Sequence, residues 1–112
     1  MTFIERFNYL KENYSSKADL SDVDTNIAAQ FTMTDDDCHG IFYIAHLNGV
    51  TSVEPYDYHD NTVAVTIDSR LLEKIFKGEV DPVASFLAGE FEVEGETEHA
   101  LKLINAFKAA KK

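Results

Sequence analysis

The stretch that decides the fold runs from Thr62 to Ile104 and reads TVAVTIDSRLLEKIFKGEVDPVASFLAGEFEVEGETEHALKLI. Val63, Val65 and Ile67 alternate with Ala64 and Thr66, the period of a strand with one apolar face. Asp68 then stands where a helix N-cap is needed, ahead of Leu71, Leu72, Ile75 and Phe76 at helical spacing. Gly78 supplies the stop. Asp81-Pro82 is a second cap, followed by N1 proline, and opens a short helix carrying Val83, Phe86 and Leu87 that Gly89 closes. Phe91 and Val93 alternate with Glu90, Glu92 and Glu94, a short strand with one wet face. A last helix begins near Glu96, with Ala100, Leu103, Ile104 and Phe107 as its apolar stripe. The two helices between these strands have the length of a crossover, so the strands they join are expected to pair in parallel.

Upstream, Thr2 and Glu5 have capping-box spacing, and Phe3, Phe7, Leu10 and Tyr14 share one helical face. Residues 15–26 are rich in Ser and Asp and read as a connection. From Ile27 onward, Ile27, Ala29, Phe31 and Met33 alternate with more polar residues, giving a strand. A turn over Asp35–Gly40 leads to a second strand, Ile41 to Leu47, apolar on both faces. Asn48-Gly49 is a two-residue hairpin signal, because both positions tolerate positive φ. Val50 to Glu54 completes the hairpin, and Pro55 to Asn61 is a polar loop. Polar outer strand faces and helices with a single apolar stripe predict an α+β fold. The expected arrangement is a two-layer sandwich of five strands and four helices, with residues 1–112 forming a single domain.

Composition narrows the function. Twenty acidic residues against ten Lys and Arg give a formal charge of -10. That excludes nucleic acid, whose phosphates need clustered bases, and stable anchoring on anionic membranes. Cys38 is the single cysteine, so no intramolecular disulfide forms, and the amino-terminal MTFIERF is not a secretory signal. A cytoplasmic location is the default expectation. Eight Phe, five Tyr and no Trp imply a bulky aromatic interior.

The order of features in this half of the chain resembles the type 2 sterol carrier protein family. The resemblance rests on Gly78, Pro82, Phe86, Gly89, Phe91, Val93, Gly95, Ala100, Lys102 and Leu103, with Phe42, Ile44 and Asn48-Gly49 upstream. It implies an α+β two-layer sandwich, a five-stranded mixed sheet with helices mainly on one face, with an apolar tunnel between the layers for fatty acyl chains, acyl-CoA or sterols. It also implies that the domain is not itself catalytic. The carboxy-terminal KAAKK lacks the peroxisomal signal of eukaryotic carriers, and the chain is acidic where animal carriers are basic.

On that resemblance the expected ligand-binding set is Phe31, Met33, Phe42, Ile44, His46, Val65, Leu72, Ile75, Phe76, Phe86, Phe91, Leu103, Ile104 and Phe107. The same residues equally suit a filled core. His46 falls on the face of Phe42 and Ile44 and could contact a ligand carboxylate or hydroxyl. The cavity is expected in the ligand range of ~300–1,000 Å³. Phe107 is expected to help close it, so that deleting residues 105–112 alters affinity more than fold. Lys108, Lys111 and Lys112 form the one evident basic cluster, beside that gate.

Two chemistries compete with binding. Asp35, Asp36, Asp37, Cys38 and His39 cluster in one turn, and Asp57, His59 and Asp60 in another, but neither spacing fits an EF-hand or a zinc motif. Cys38 beside His39 is surrounded by acids that disfavour a thiolate. No metal, no cofactor and no catalytic residue is therefore assigned. The leading expectation is carriage of an apolar small molecule, a fatty acyl lipid first. The alternative is an accessory or dimerisation module, whose groove is covered by a second copy or a partner enzyme.

Overall fold

The computed structural model describes residues 2–14 and 25–110, and for residues 105 and 107–110 the backbone alone. The elements are α1 (Phe3–Asn13), β1 (Ile27–Met33), β2 (Gly40–Leu47), β3 (Val50–Glu54), β4 (Val63–Ile67), α2 (Ser69–Phe76), α3 (Pro82–Leu87), β5 (Glu92–Gly95) and α4 (Thr97–Ala110). The strands form one sheet in the order β3-β2-β1-β4-β5. The expected α+β class and five-stranded mixed sheet are both observed.

The parallel pair lies elsewhere than expected. β4 runs parallel to β1, with Phe31 opposite Val65, whereas β5 is antiparallel to β4, with Val65 opposite Val93. Helices α2 and α3 thus connect antiparallel neighbours, and the chain between β1 and β4 is the β2–β3 hairpin and its following loop. Helix length alone does not fix strand direction. α2 and α3 are short enough, at eight and six residues, to turn the chain back beside the strand it left.

Local chemistry sets the ends of the elements. Thr2 and Glu5 form the capping box of α1, and Asp68 and Asp81 accept from Arg70 N–H and Val83 N–H to cap α2 and α3. Asn48 and Gly49 both have positive φ, as the β2–β3 hairpin requires. Gly95 has φ +94°, and a Cβ there would meet the Thr62 carbonyl oxygen at 2.6 Å, so no other residue ends β5 so close to β4.

The core fills the space between the sheet and α1, α2 and α4. Phe31 and Phe42, cross-strand partners in β1 and β2, stack with centroids 5.0 Å apart, and Phe7 of α1 packs on Phe42 at 5.4 Å. Tyr14 covers Phe76 at 5.6 Å. β2 is less symmetric than its composition predicts: Phe42, Ile44 and His46 are buried, while Ile41 is exposed. In α3 the expected apolar face is turned round. Pro82 and Ser85 are buried and Phe86 half-buried, while Val83 is 46% and Leu87 78% exposed. A six-residue helix has one inward face, and Pro82, Ser85 and Phe86 at i, i+3 and i+4 occupy it.

A polar network fastens α1 and α2 to the end of β1. The buried Asp35 carboxylate accepts from Ser69 N–H at 2.7 Å and Ser69 hydroxyl at 2.8 Å. Arg6 donates to Ser69 Oγ at 3.0 Å and to Glu73 Oε1 at 2.8 Å. Tyr9 and Tyr14 hydroxyls both donate to Glu73 Oε2, at 2.7 and 2.9 Å. Among the described residues no buried side-chain nitrogen or oxygen lacks a partner. Burial alone would raise both carboxyls, but these donors and the nearby Arg70 and Arg6 guanidinium groups outweigh it and hold Asp35 and Glu73 below their ordinary values. Burial, aided by the Glu73 carboxylate, pushes the Tyr14 phenol up.

Two outcomes follow from this network. A carboxyl depressed in the folded state stabilises the protein fully above its unfolded value near ~4 and stops doing so as pH falls through its folded value. The urea midpoint should therefore drop steeply below about pH 4. Asp35→Asn should make that drop shallower, and Arg6→Met should lower stability by about 1.5–3 kcal/mol at pH 7, read by urea titration. Cys38 is 4% exposed, its sulfur lies 3.8 Å from Ser69 Oγ, and burial with Asp35 and Asp37 pushes its thiol up. It should react with an aromatic disulfide reagent at pH 8 at least about a hundredfold more slowly in the folded chain than in urea.

Candidate functional site

One corner of the described residues encloses a small space. Pro82, Val83 and Phe86 of α3, Phe91 and Val93 around β5, and Thr97, Ala100, Leu101 and Ile104 of α4 enclose a cavity of about 50 Å³. Thr97 is the one polar residue of this lining. Phe86 and Phe91 meet across it with centroids 5.8 Å apart. The volume is far below the ~300–1,000 Å³ expected of a ligand site, because the aromatic stacks occupy the remaining interlayer space.

Of the expected binding set, this cavity brings together Phe86, Phe91 and Ile104. Phe31, Met33, Phe42, Ile44, Val65, Leu72, Ile75, Phe76 and Leu103 are buried in the core cluster and lie outside the cavity lining. His46 is buried too, on the face of Phe42 and Ile44, but its Nδ1 lies 2.8 Å from Thr51 Oγ1 across the β2–β3 pair. The side chain of Phe107, and the gate role expected of it, lie outside what is described, as do Lys111 and Lys112 and the side chain of Lys108. Pro82, Val83, Val93, Thr97, Ala100 and Leu101 lie outside the expected set. The signal for the α4 members was present: Thr97, Leu101 and Ile104 recur at i, i+4 and i+7, a second apolar track beside Ala100 and Leu103.

Of the lining residues, Phe91, Ala100 and Ile104 are buried, whereas Val83 and Thr97 are exposed. Between Lys77 and Lys102 the chain carries Glu79, Asp81, Glu90, Glu92, Glu94, Glu96 and Glu98, all exposed, and no Lys or Arg. Glu90 accepts from Ser85 Oγ at 2.6 Å. His99 turns its Nδ1 to Thr62 Oγ1 at 2.8 Å.

The other chemistries considered find their side chains already engaged. Asp35, Asp37 and Cys38 offer ligand atoms within 4.8 Å of one another. Yet Asp35 is committed to Ser69, and Arg70 stands 3.7 Å from Asp35, 3.5 Å from Asp37 and 3.7 Å from Asp68. The cluster is thus served by an arginine. Asp57 and His59 form an exposed pair at 3.6 Å. No described helix is long and apolar enough to cross a membrane.

Comparison with known proteins agrees with this fold. None of the curated proteins matches the chain in sequence. Among solved structures, the sterol carrier protein domain 2 of Helicoverpa armigera is similar, with TM-score 0.70 and 19% identity, over 94% of this chain and 87% of that one. Sterol carrier protein 2 of Aedes aegypti, solved in complex with palmitate, gives TM-score 0.66 and 18% identity over 96% and 97%. The stereoselective inverting sec-alkylsulfatase of a Pseudomonas species gives TM-score 0.69 and 16% identity, over 90% of this chain but 15% of the enzyme. At these identities the likeness is one of fold. Residues 7–108 match the SCP-2 sterol transfer family, so the chain belongs to the SCP-2 sterol transfer family.

Proposed function

We propose that this chain is a non-catalytic carrier or reservoir for an apolar ligand, cytoplasmic and acting as a single domain over residues 1–112. The observation that carries the reading is the apolar cavity at the α3–β5–α4 corner. A cavity of about 50 Å³ does not hold an acyl chain, so binding requires the corner to open. α3 is the element suited to move. Two of its six residues are buried, and neighbouring glycines, Gly78 and Gly89, flank it at positive φ. Swinging α3 outward would extend the cavity along Phe86, Phe91 and Leu101 without disturbing the Phe31–Phe42 stack. The hydrocarbon of a fatty acyl or sterol-like ligand would then be held by area burial, at about 25 cal/mol per Å². Family membership and the palmitate complex of the Aedes aegypti protein support this class of ligand.

A second reading has its own observation. Val83 and Leu87 form an exposed apolar pair on α3, and in the Pseudomonas sulfatase the same fold is a small part of a longer chain. The corner would then be covered by protein, as an accessory or dimerisation module.

Native mass spectrometry of the chain purified from its own host separates the two. Carriage predicts a co-purified lipid at one per chain. Ala100→Leu, which fills the cavity, should reduce that occupancy at least about tenfold while costing no more than about 1–3 kcal/mol of stability. A lipid-free chain that dimerises with rising concentration, and that Leu87→Glu returns to a monomer, would establish the second reading instead.

A further inference from the structure

We infer that the outer face of α3 docks transiently on a zwitterionic phospholipid surface, and that ligand exchange through the corner takes place there. The inference rests on the carrier reading and adds the surface at which the ligand is passed on. In α3 the buried Pro82 and Ser85 and the half-buried Phe86 take one side of the helix. Val83, Ala84, Leu87 and Ala88 take the other, at i, i+1, i+4 and i+5, and all four are exposed. Leu87, at 78%, is the most exposed large apolar residue among those described. No charged or hydrogen-bonding side chain lies on that face. Val83 belongs to both sides, since it is 46% exposed and also lines the cavity. The apolar lining of the cavity thus continues through one side chain onto the apolar outer face.

Size and charge decide what covers this face. A stable protein interface takes about 20–30 residues a side. The outer face of α3 offers four, on a helix of six residues that is about 9 Å long. A second copy would also bring the same net charge of -10. The charged residues fastened to α3 are both acidic: Asp81 caps its first turn, and Glu90 accepts from Ser85 Oγ. Like charges meeting across an interface oppose association. A bilayer needs neither many residues nor a matching shape, because its acyl boundary closes around whatever aliphatic side chain enters it. At about 9 Å, α3 can lie in that boundary but cannot span the hydrocarbon. Its attachment is weak, since even a single myristoyl chain gives only marginal, reversible binding. Weak attachment is what exchange requires, because the chain must leave again. Asp81 and Glu90 act against anionic headgroups, whereas a zwitterionic surface carries no net charge to oppose them. With α3 seated there, its outward swing brings the cavity against hydrocarbon instead of water, so an apolar ligand passes between two apolar environments.

The chain has no Trp, so Leu87→Trp places a single reporter on this face. Val50→Trp places one on exposed β3, at the opposite edge of the sheet from β5. Each full chain is mixed at low salt with phosphatidylcholine vesicles, with and without bromine on the acyl chains, which quenches Trp only inside the bilayer. Quenching of Leu87→Trp should exceed that of Val50→Trp at least about fivefold. Replacing part of the lipid with phosphatidylglycerol should reduce it. In the Trp-free chain, transfer of a bound pyrene-labelled fatty acid to these vesicles should rise in proportion to vesicle concentration, as transfer by contact does. Ala84→Gln/Leu87→Gln, neither of which lines the cavity, should slow that transfer at least about tenfold, while uptake of the probe without vesicles stays within about twofold. Equal quenching of the two reporters, quenching that grows with the anionic share, or transfer that the double variant leaves unchanged overturns the inference and leaves the carrier reading in place. A Leu87→Trp emission that is blue-shifted without vesicles and relaxes on dilution marks a second copy on this face, and overturns the inference in favour of the accessory module. A chain that takes up no probe removes the carrier reading and the exchange with it, while the quenching still decides the docking.

Discussion

The parallel pairing of β1 with β4 is the constraint on which the rest of the structure depends. Parallel strands end at the same edge of a sheet, so the residues that follow them meet. After Met33 the chain continues to Asp35, and after Ile67 to Ser69, and the ladder is prolonged by Thr34 N–H donating to Ile67 carbonyl at 3.1 Å. Asp35 can thus cap the start of α2 through Ser69, and Ser69 can receive Arg6 from α1. Had β4 run the other way, Asp35 would lie beside Thr62, and α2 would begin at the opposite edge. The antiparallel β4–β5 pairing places the start of β4 beside the end of β5, where Glu96 N–H donates to Thr62 carbonyl at 2.8 Å and α4 begins. The polar latch and the start of α4 therefore occupy opposite ends of the sheet. The latch end is held by charge-assisted hydrogen bonds, and the other by neutral ones around Thr62.

What was legible in the sequence is what local chemistry decides. The Thr2–Glu5 box, the Asn48-Gly49 turn, the Asp68 and Asp81 caps and the alternation in β1 and β4 depend on residues within a few positions of one another, and the structure reproduces each. The direction of β5 was not legible, because it depends on how far two short helices carry the chain and not on any residue in the strand. The latch was hidden for a related reason. Arg6 and Glu73 are ordinary surface residue types 67 positions apart, and neither carries a local signal that it is to be buried.

The site was half legible for a subtler reason. Periodicity identifies which face of an element leaves water, but not whether the opposing face fills the space. Phe31, Phe42 and Phe76 satisfy the pattern of a tunnel wall, yet each meets another ring and becomes core. Phe86, Phe91 and Ile104 satisfy the same pattern at a corner where small Ala100 and Thr97 leave a gap. In α3 the pattern misleads outright. Ser85 takes a buried position because its hydroxyl reaches Glu90, and that displaces Leu87 to the surface.

Five of the seven carboxylates between Lys77 and Lys102 have a local reason to be acidic. Asp81 caps α3, Glu90 accepts from Ser85, and Glu98 complements the first turn of α4. Glu92 and Glu94 lie on an edge strand, where charge discourages pairing with another chain. These reasons account for acids at those positions but not for the lack of bases between them. Alternating sign would serve stability better, since a Lys four residues from a Glu contributes about 0.2–0.5 kcal/mol on a helix and like charges cost a similar amount. The last turn of α3 could hold a base at no cost to its cap, yet contains Ser85, Phe86 and Leu87. Edge protection is served equally by lysine. The one such pair that involves this segment is Glu98 with Lys102 on α4, so from Gly78 to Leu101 its acids are accounted for mainly by caps, by the Ser85 contact and by edge protection.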